Sequence, residues 1–201
     1  MIIIVFAIIS ASYTIPGGLS SAINAELIQA IILILGSVIL TIFCFQQGGD
    51  YFYGLFADGD MLVKLIRPLS DSATPWLGLI VGMPILGIYF WANNQTLVQR
   101  VLSSRNIDEG RKGVIFTGYL TLLTLFIVAM PGLIARHLFP GLEKPDMVYP
   151  NMVLQLMPIG LLGVMLSALL SALTSTLSAI LNSTSTLFTI DFYAKFNKKA
   201  D

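Results

Sequence analysis

The stretch from Met152 to Ile190 contains no charged residue and is longer than one crossing of a lipid bilayer requires. No water satisfies peptide groups inside a bilayer, so such a stretch crosses as an α-helix, whose backbone hydrogen bonds are internal. The rest of the chain agrees, because 56% of the 201 residues are hydrophobic and only 11% are charged. This composition excludes an ordinary soluble domain and predicts an all-α integral membrane protein.

Four shorter apolar segments precede this stretch, with turn-rich or charged separators between them. The pattern predicts about five transmembrane helices in a single transmembrane region, at residues 1–15, 25–46, 75–98, 112–138 and 152–192. Basic residues collect in loop 97–113 and in tail 193–201. The positive-inside rule therefore predicts that both are cytoplasmic in a multi-pass protein of the cell membrane.

The last apolar segment carries a hydroxyl or an amide at almost every helical turn. Six of these side chains fall on one face at the helical repeat: Ser171, Ser175, Ser178, Asn182, Ser185 and Thr189. Unpaired hydroxyls are costly in hydrocarbon, so this face is expected to turn toward other helices, a water-filled cavity or a coordinated ion. Two interpretations stay open, namely packing between helices and a path for an ion or solute.

The third segment contains four residues that weaken a helix: Gly78, Gly82, Pro84 and Gly87. Such a helix is expected to unwind readily in its middle and to line a cavity, and a proline bend absorbed by neighbouring helices is the alternative. Phe90 and Trp91 follow this segment. They are expected to form either a gate or stacking platform, or part of an interfacial aromatic belt.

Several classes of function find no support in the sequence. The formal net charge is zero, which gives no basis for a nucleic-acid partner. No nucleophile and base, glycine-rich phosphate loop or paired carboxylates stand at catalytic spacing, so we predict that the chain is not an enzyme. The single histidine, His137, has no clustered partner, and neither a metal site nor a cofactor is predicted from the residues.

Three blocks of sequence carry a resemblance to a known family: YTIPGGLSSAINAELIQ at 13–29, WANNQTLVQRVLSSRN at 91–106, and GLLGVMLSALLSALTSTLSAILNSTSTLFTIDFY at 160–193. They resemble the sodium:solute symporter family, in particular the sodium/glucose cotransporters. Family members are longer and contain two inverted repeats of five helices. The resemblance implies that this chain is an interior fragment, with the last two helices of the first repeat and the first three of the second.

The resemblance implies sodium-coupled symport of a small organic solute, a sugar or similar, by alternating access. Its implied partners are the sodium ion, the solute and the lipid bilayer, with sodium as coupling ion rather than cofactor. A transporter-like membrane sensor or assembly module is the alternative from another class. A truncated product with no independent activity is a third, favoured by the abrupt apolar start at Met1.

In the family, sodium lies between the hydroxyl-rich helix and an unwound part of the first core helix. The matching positions are the carbonyl of Ala172 and the hydroxyls of Ser175 and Thr176. Neutral oxygens suit a monovalent hard cation that must bind weakly enough to leave. The partner carbonyls belong to a helix upstream of the matched region, so the resemblance implies that this chain alone does not complete the site.

The resemblance also points to an ion path. Glu26 matches a family aspartate associated with the inner sodium path, and Ser178 matches a residue that some members use in a further sodium site. Glutamate is one methylene longer than aspartate, and Ala179 replaces the serine that would complete the further site. Glu26 as a carboxylate stabilised near a helix N-terminus is the alternative.

The substrate positions match less well. Sugar-transporting members place an asparagine and a lysine where this chain has Gly87 and Thr121, and a gate tyrosine where it has Phe90. Trp91 is retained. Because a site built to bind hydroxyls discriminates through those hydrogen bonds, the changes favour another small organic solute at least as much as a sugar.

Overall fold

The computed structural model describes residues 2–57, 64, 66–72, 74–141 and 144–197. Eight α-helices lie in this part of the chain: α1 Ile2–Ala57, α2 Met83–Ile88, α3 Gln95–Leu102, α4 Ile107–Thr124, α5 Met130–Leu138, α6 Val148–Leu156, α7 Ile159–Phe188 and α8 Ala194–Phe196. Four π-helices adjoin them, at Gly78–Gly82, Tyr89–Asn93, Leu125–Ala129 and Thr189–Tyr193, and a 3-10 helix spans Pro145–Met147. These residues contain no strand, and the prediction of an all-α protein is confirmed.

Three helical stretches among the described residues are long and apolar enough to cross a membrane: Ala22–Ala57, Ile107–Leu138 and Ile159–Phe196. Two shorter apolar helices, Ile4–Ser20 and Gly78–Asn93, accompany them. Each of the five overlaps one predicted segment. Residue 1 of the first predicted helix and residues 198–201 of the predicted cytoplasmic tail lie outside the described residues.

Several helix ends differ from the predicted bounds because side-chain caps and a proline set them. The predicted helix 75–98 is interrupted at Asn94, whose extended backbone and side-chain oxygen cap α3. The predicted helix 112–138 begins earlier, at Ile107, because the Asn106 side chain accepts from the Glu109 amide. The predicted helix 152–192 begins at Ile159, because Met157 precedes Pro158 and is extended.

Two glycine-rich segments that the sequence predicted to separate helices lie within α1, and the helix continues through both. Helix α1 continues through Gly48 to Ala57, where the sequence predicted a turn after residue 46. Gly48 is buried, and a Cβ added there would collide with Ile134 Cγ2, so this glycine permits close helix packing. Gly18 has φ +57, a left-handed conformation that favours glycine, and it interrupts the regular geometry of α1 between the first two predicted segments.

Two of the π-helices stand just before a proline inside a membrane helix. Gly78–Gly82 precedes Pro84 and Leu125–Ala129 precedes Pro131. A proline offers no N–H and its ring clashes with the carbonyl four residues earlier, and a wider turn relieves that clash. The amides of Met83 and Met130 accordingly bond carbonyls five residues back. The unwound middle expected for the third segment is absent, because Gly78–Asn93 is helical throughout.

The chain divides into two compact units, Met1–Gly36 with Ile159–Asp201, and Ser37–Pro158. In the first unit Gly36 lies close to Met165, because an added Cβ would stand 2.7 Å from the Met165 sulfur. The second unit buries a larger apolar set, which includes Leu40, Cys44, Ile134, Met152 and Val153. Small residues in both units therefore let helix backbones approach closely.

Candidate functional site

The polar face of α7 is buried along only part of its length. Ser178 is fully buried, Ser171, Ser175 and Asn182 are half-buried, and Ser185 and Thr189 are exposed. The middle of the face therefore lies against the other helix segment of the same unit, the first part of α1. The buried middle of the polar face contributes to helix packing, while the oxygens beside it stay accessible to an ion or a solute. Both interpretations of the polar face are therefore compatible with the structure.

Three hydroxyl side chains of α1 bind α7 at one level. Ser10 Oγ lies 2.9 Å from the Thr174 carbonyl and shares its hydrogen with the Phe6 carbonyl of its own helix at 2.8 Å, and the Tyr13 hydroxyl donates to the Thr174 carbonyl at 3.4 Å. One turn further along α7, the hydroxyls of Thr14 and Ser178 are hydrogen-bonded to each other. Ser10, Thr14, Thr174 and Ser178 are all buried. Together with Tyr13 these four residues form a polar cluster of five, which we call the α1–α7 anchor.

The three predicted sodium residues lie beside this anchor. Ala172 and Ser175 are half-buried and Thr176 is exposed. Thr176 Oγ1 donates to the Ala172 carbonyl at 3.0 Å, which brings two of the predicted ligand oxygens together. Within the described part of the chain the Ser175 hydroxyl makes no hydrogen bond.

The spacing of the two paired oxygens is compatible with a shared cation. For oxygens 3.0 Å apart, a cation about 2.4 Å from each makes an oxygen–cation–oxygen angle of about 75°, within the range of hard-cation sites. Within α7 the Ala172 carbonyl also accepts the Thr176 amide, so both of its lone pairs are used while the hydroxyl donates to it. A cation shared by these two oxygens therefore requires the Thr176 hydroxyl to turn its hydrogen away from Ala172.

The two residues of the predicted ion path have different surroundings. Glu26 is half-buried in α1. Ser178 is fully buried, and its hydroxyl is bound to Thr14. In this conformation the Ser178 oxygen already has a partner from α1 and is closed to solvent.

The predicted substrate residues lie in the second unit, where Phe90, Trp91 and Thr121 are exposed and Gly87 is half-buried. The rings of Phe90 and Trp91 meet edge to face with centroids 5.4 Å apart. Gly87 has nothing within 4 Å of an added Cβ, so the space that an asparagine would occupy is open. Thr121 donates its hydroxyl to the Thr117 carbonyl at 2.9 Å, so its polar group is engaged within α4.

Trp91 lines a groove of about 570 Å³ between the third segment and α4. Thr117 and Gly118, one turn before Thr121, line the same groove, and Arg100 and Glu109 lie among its charged residues. The structure thus brings Trp91 near the turn of α4 that precedes Thr121. The sequence analysis did not find this groove, because it depends on the angle at which the chain reverses between α3 and α4.

The second unit contains a further set of polar contacts, from small residues of α1. Thr41 Oγ1 lies 3.3 Å from the Ile127 carbonyl and 2.8 Å from the Ser37 carbonyl. Cys44 Sγ lies 3.5 Å from the Pro131 carbonyl. The spacing of Ser37, Thr41, Cys44 and Gly48 along one face of α1 was a visible indication of such contacts.

A comparison with protein families matches the model of the sodium:solute symporter family to residues 1–201. Sodium/glucose cotransporter 1 of Ovis aries is 38% identical over 98% of this chain and 36% of its own length. Solute carrier family 5 member 4A of Mus musculus is 37% identical, with the same coverage of 98% and 36%. The chain therefore spans about a third of the length of these relatives.

A solved structure has a similar fold. It is a Na⁺-coupled sialic acid symporter in a substrate-bound, outward-open state, and it matches with a TM-score of 0.82. The alignment covers 99% of this chain and 44% of the symporter at 22% sequence identity. At that identity the likeness concerns the fold, and it confirms the predicted transporter architecture.

Proposed function

The chain belongs to the sodium:solute symporter family, and from that membership we propose that it forms part of a membrane transporter that couples a small organic solute to sodium. The observation that carries the proposal is that neutral oxygens stand on α7 at the family's sodium positions, where the Ser175 hydroxyl makes no hydrogen bond among the described residues and the Thr176 hydroxyl is bonded only within its own helix, to the Ala172 carbonyl. Neutral oxygens in a membrane helix are suited to bind a monovalent cation transiently.

In this proposal Ala172, Ser175 and Thr176 supply three ligands from α7, and carbonyls of the family's first core helix supply the others. Sodium bound there stabilises the outward-open arrangement, so that the inward sodium gradient favours loading outside and release inside. Glu26 is proposed to lie on the route by which sodium leaves toward the cytoplasm. The transported cation is then a coupling ion, and no enzymatic step is involved.

The solute is proposed to contact the surface formed by Gly87, Phe90, Trp91 and Thr121. Trp91 supplies an aromatic face for stacking, while the open space at Gly87 admits a bulkier solute group than an asparagine would. This surface offers fewer hydrogen bonds than the matching family positions, which favours a small organic solute with fewer hydroxyls than a hexose.

The proposed topology is multi-pass in the cell membrane, with loop 97–113 and tail 193–201 on the cytoplasmic side. Four basic residues in the loop support this orientation: Arg100, Arg105, Arg111 and Lys112. Two of them are partly neutralised, because Arg111 and Lys112 pair with Asp108 and Glu109 at 3.7 and 3.1 Å. The positive-inside rule counts Lys and Arg rather than net charge, so the orientation stands.

Uptake into proteoliposomes tests the proposal. A longer protein that carries the chain is reconstituted and supplied with radiolabelled small organic solutes, among them glucose and sialic acid, the solutes named in its relatives, with and without an inward sodium gradient. We expect accumulation that depends on sodium. Each lost hydroxyl ligand to a cation costs about 1.5–3 kcal/mol, so Ser175→Ala together with Thr176→Ala is expected to abolish the sodium dependence.

Ser167→Ala is the matched control, because Ser167 lies on α7, is exposed, and donates only to the Gly163 carbonyl of its own helix. It is expected to retain sodium-dependent uptake. Binding of solute without sodium-driven accumulation would identify a sensor or assembly module and would end the transport proposal.

A further inference from the structure

We propose that Ser10, Tyr13 and Thr14 of α1 are positioning residues for the sodium site. They hold α7 through Thr174 and Ser178 and thereby set the direction in which its sodium ligands point. The inference rests on the sodium site proposed above. It assigns to Ser178 a role in the α1–α7 anchor.

The anchor contacts are concentrated on two adjacent turns of α7. The Thr174 carbonyl accepts two hydroxyls from α1, and Ser178 lies one turn later, bound to Thr14. Ser10 and Ser178 are fully buried, so water does not compete for these bonds. An interhelical hydrogen bond without water holds two helices in one relative register, because any slip leaves buried polar groups unpaired.

The anchor and two of the three sodium ligands occupy different faces of α7. At 3.6 residues per turn each residue advances the helix by about 100°, so Thr174 and Ser178 lie about 40° apart on one face. Ala172 and Thr176 are centred about 160° away, while Ser175 lies about 60° from Ser178 at the edge of the anchor face. The anchor can therefore hold α7 without occupying a ligand oxygen.

The sodium site is sensitive to rotation of α7. Ligand oxygens lie about 5 Å from a helix axis, so a rotation of about 10° moves them by about 0.9 Å. Distances between a metal and its ligands tolerate changes of about 0.2 Å. A rotation of only a few degrees is then enough to weaken coordination, and the anchor bonds oppose such a rotation.

Thr14→Val tests the inference, because valine keeps the shape of threonine and removes the hydroxyl that binds Ser178. The probe is radiolabelled sodium, titrated onto a purified longer protein that carries this chain together with the family's first core helix, so that the dissociation constant and the number of sites are obtained separately. We expect the dissociation constant to rise roughly fivefold, the effect of one lost buried hydrogen bond, while the number of sites per folded protein stays the same.

Two variants separate positioning from mere stability. Thr14→Ser retains the hydroxyl and is expected to bind sodium like the unmodified chain. Ser12→Ala removes a hydroxyl from the same turn of α1, but Ser12 is exposed and donates only to the Ile9 carbonyl of its own helix, so it is expected to have no effect. Should Thr14→Val not fold, Ser10→Ala removes the 2.9 Å bond to Thr174 and replaces it in the comparison.

The outcomes distinguish this inference from the function on which it rests. If the unmodified longer protein does not bind sodium, both fail. If it binds sodium and Thr14→Val has the same dissociation constant with fewer sites, the residue is only structural and the positioning role is overturned. The role is also overturned if Thr14→Ser binds as weakly as Thr14→Val.

Discussion

Replacing Thr41 with valine tests whether α1 supplies the hydrogen bond that a proline removes from a neighbouring helix. Pro131 has no N–H, so the Ile127 carbonyl four residues earlier lacks the donor that a regular α-helix would supply at that position. Thr41 Oγ1 lies 3.3 Å from that carbonyl and shares its hydrogen with the Ser37 carbonyl at 2.8 Å. Ile127 is only 7% exposed, so water does not take the place of the hydroxyl.

The expected cost of Thr41→Val follows from this geometry. Hydrogen bonds between membrane helices average about 0.6 kcal/mol and reach about 1.7 kcal/mol. The 3.3 Å distance and the shared hydrogen argue for the lower value, whereas the buried, proline-orphaned carbonyl argues for the higher. We therefore expect a loss of about 1 kcal/mol. In a Pro131→Ala background the new amide can bond Ile127, and the same substitution is expected to cost close to zero.

The measurement is reversible unfolding in mixed micelles with increasing SDS, followed by helical circular dichroism. The four variants of the cycle are the unmodified chain, each single substitution and the double substitution, with Thr41→Ser as the control that keeps the hydroxyl. The difference between the two backgrounds isolates the coupling. Equal losses on Thr41→Val in both backgrounds would refute the link between Thr41 and the proline.

Two further predictions use the same unfolding measurement. Gly48→Ala is expected to lower the free energy of unfolding by about 1–3 kcal/mol, because the added Cβ meets Ile134. Gly49→Ala, whose Cβ has its nearest neighbour at 3.8 Å, is expected to raise it by about 0.5–1 kcal/mol. Equal effects of the two substitutions would contradict the packing argument. Burial raises the pKa of Tyr149 above its ordinary 10.0, and a hydrogen bond with Ser37 lowers it in part. The folded state thus holds this proton more tightly than the unfolded state, so stability is retained below pH 10 and declines above it, and Tyr149→Phe is expected to reduce that decline.

The class of fold could be predicted from the sequence because the bilayer leaves few choices. Long uncharged segments such as 152–190 must be helical in hydrocarbon, and the all-α structure confirms that prediction. Helix ends were predicted less well, because they depend on single side chains such as Asn94 and Asn106, whose capping bonds became evident only in the structure.

Glycine and proline were the least predictable residues, because each has more than one structural use. Gly48 suggested a turn, yet it lies within α1 where the Ile134 side chain leaves no room for a Cβ. Pro84 suggested an unwound helix, yet a π-helix absorbs it. A turn and a close contact between helices both favour a small residue. Only the contact with a residue distant in sequence shows which of the two structures the small residue serves.

The candidate site was only partly predictable for the same reason. Helical periodicity identified the polar face of α7, but family resemblance was needed to select Ser175 from it and to add Thr176 beside it. The partners of Ser178 and Thr174 lie more than 160 residues away in α1. No local pattern specifies a contact at that separation, so the anchor emerged only from the packed helices.

The π-helix at Leu125–Ala129 has a consequence for comparing related chains residue by residue. A turn closed over five residues instead of four holds one residue more than an α-helical turn, so every later position is displaced along the helix by about 1.5 Å and turned by about 100°. A relative in which Pro131 is replaced by another residue and one neighbouring residue is deleted would keep the side chains on either side in their present directions. A single-residue gap in the alignment at this point would therefore indicate that the side-chain directions are the same in both proteins. An alignment without that gap would pair residues from different faces of the helix.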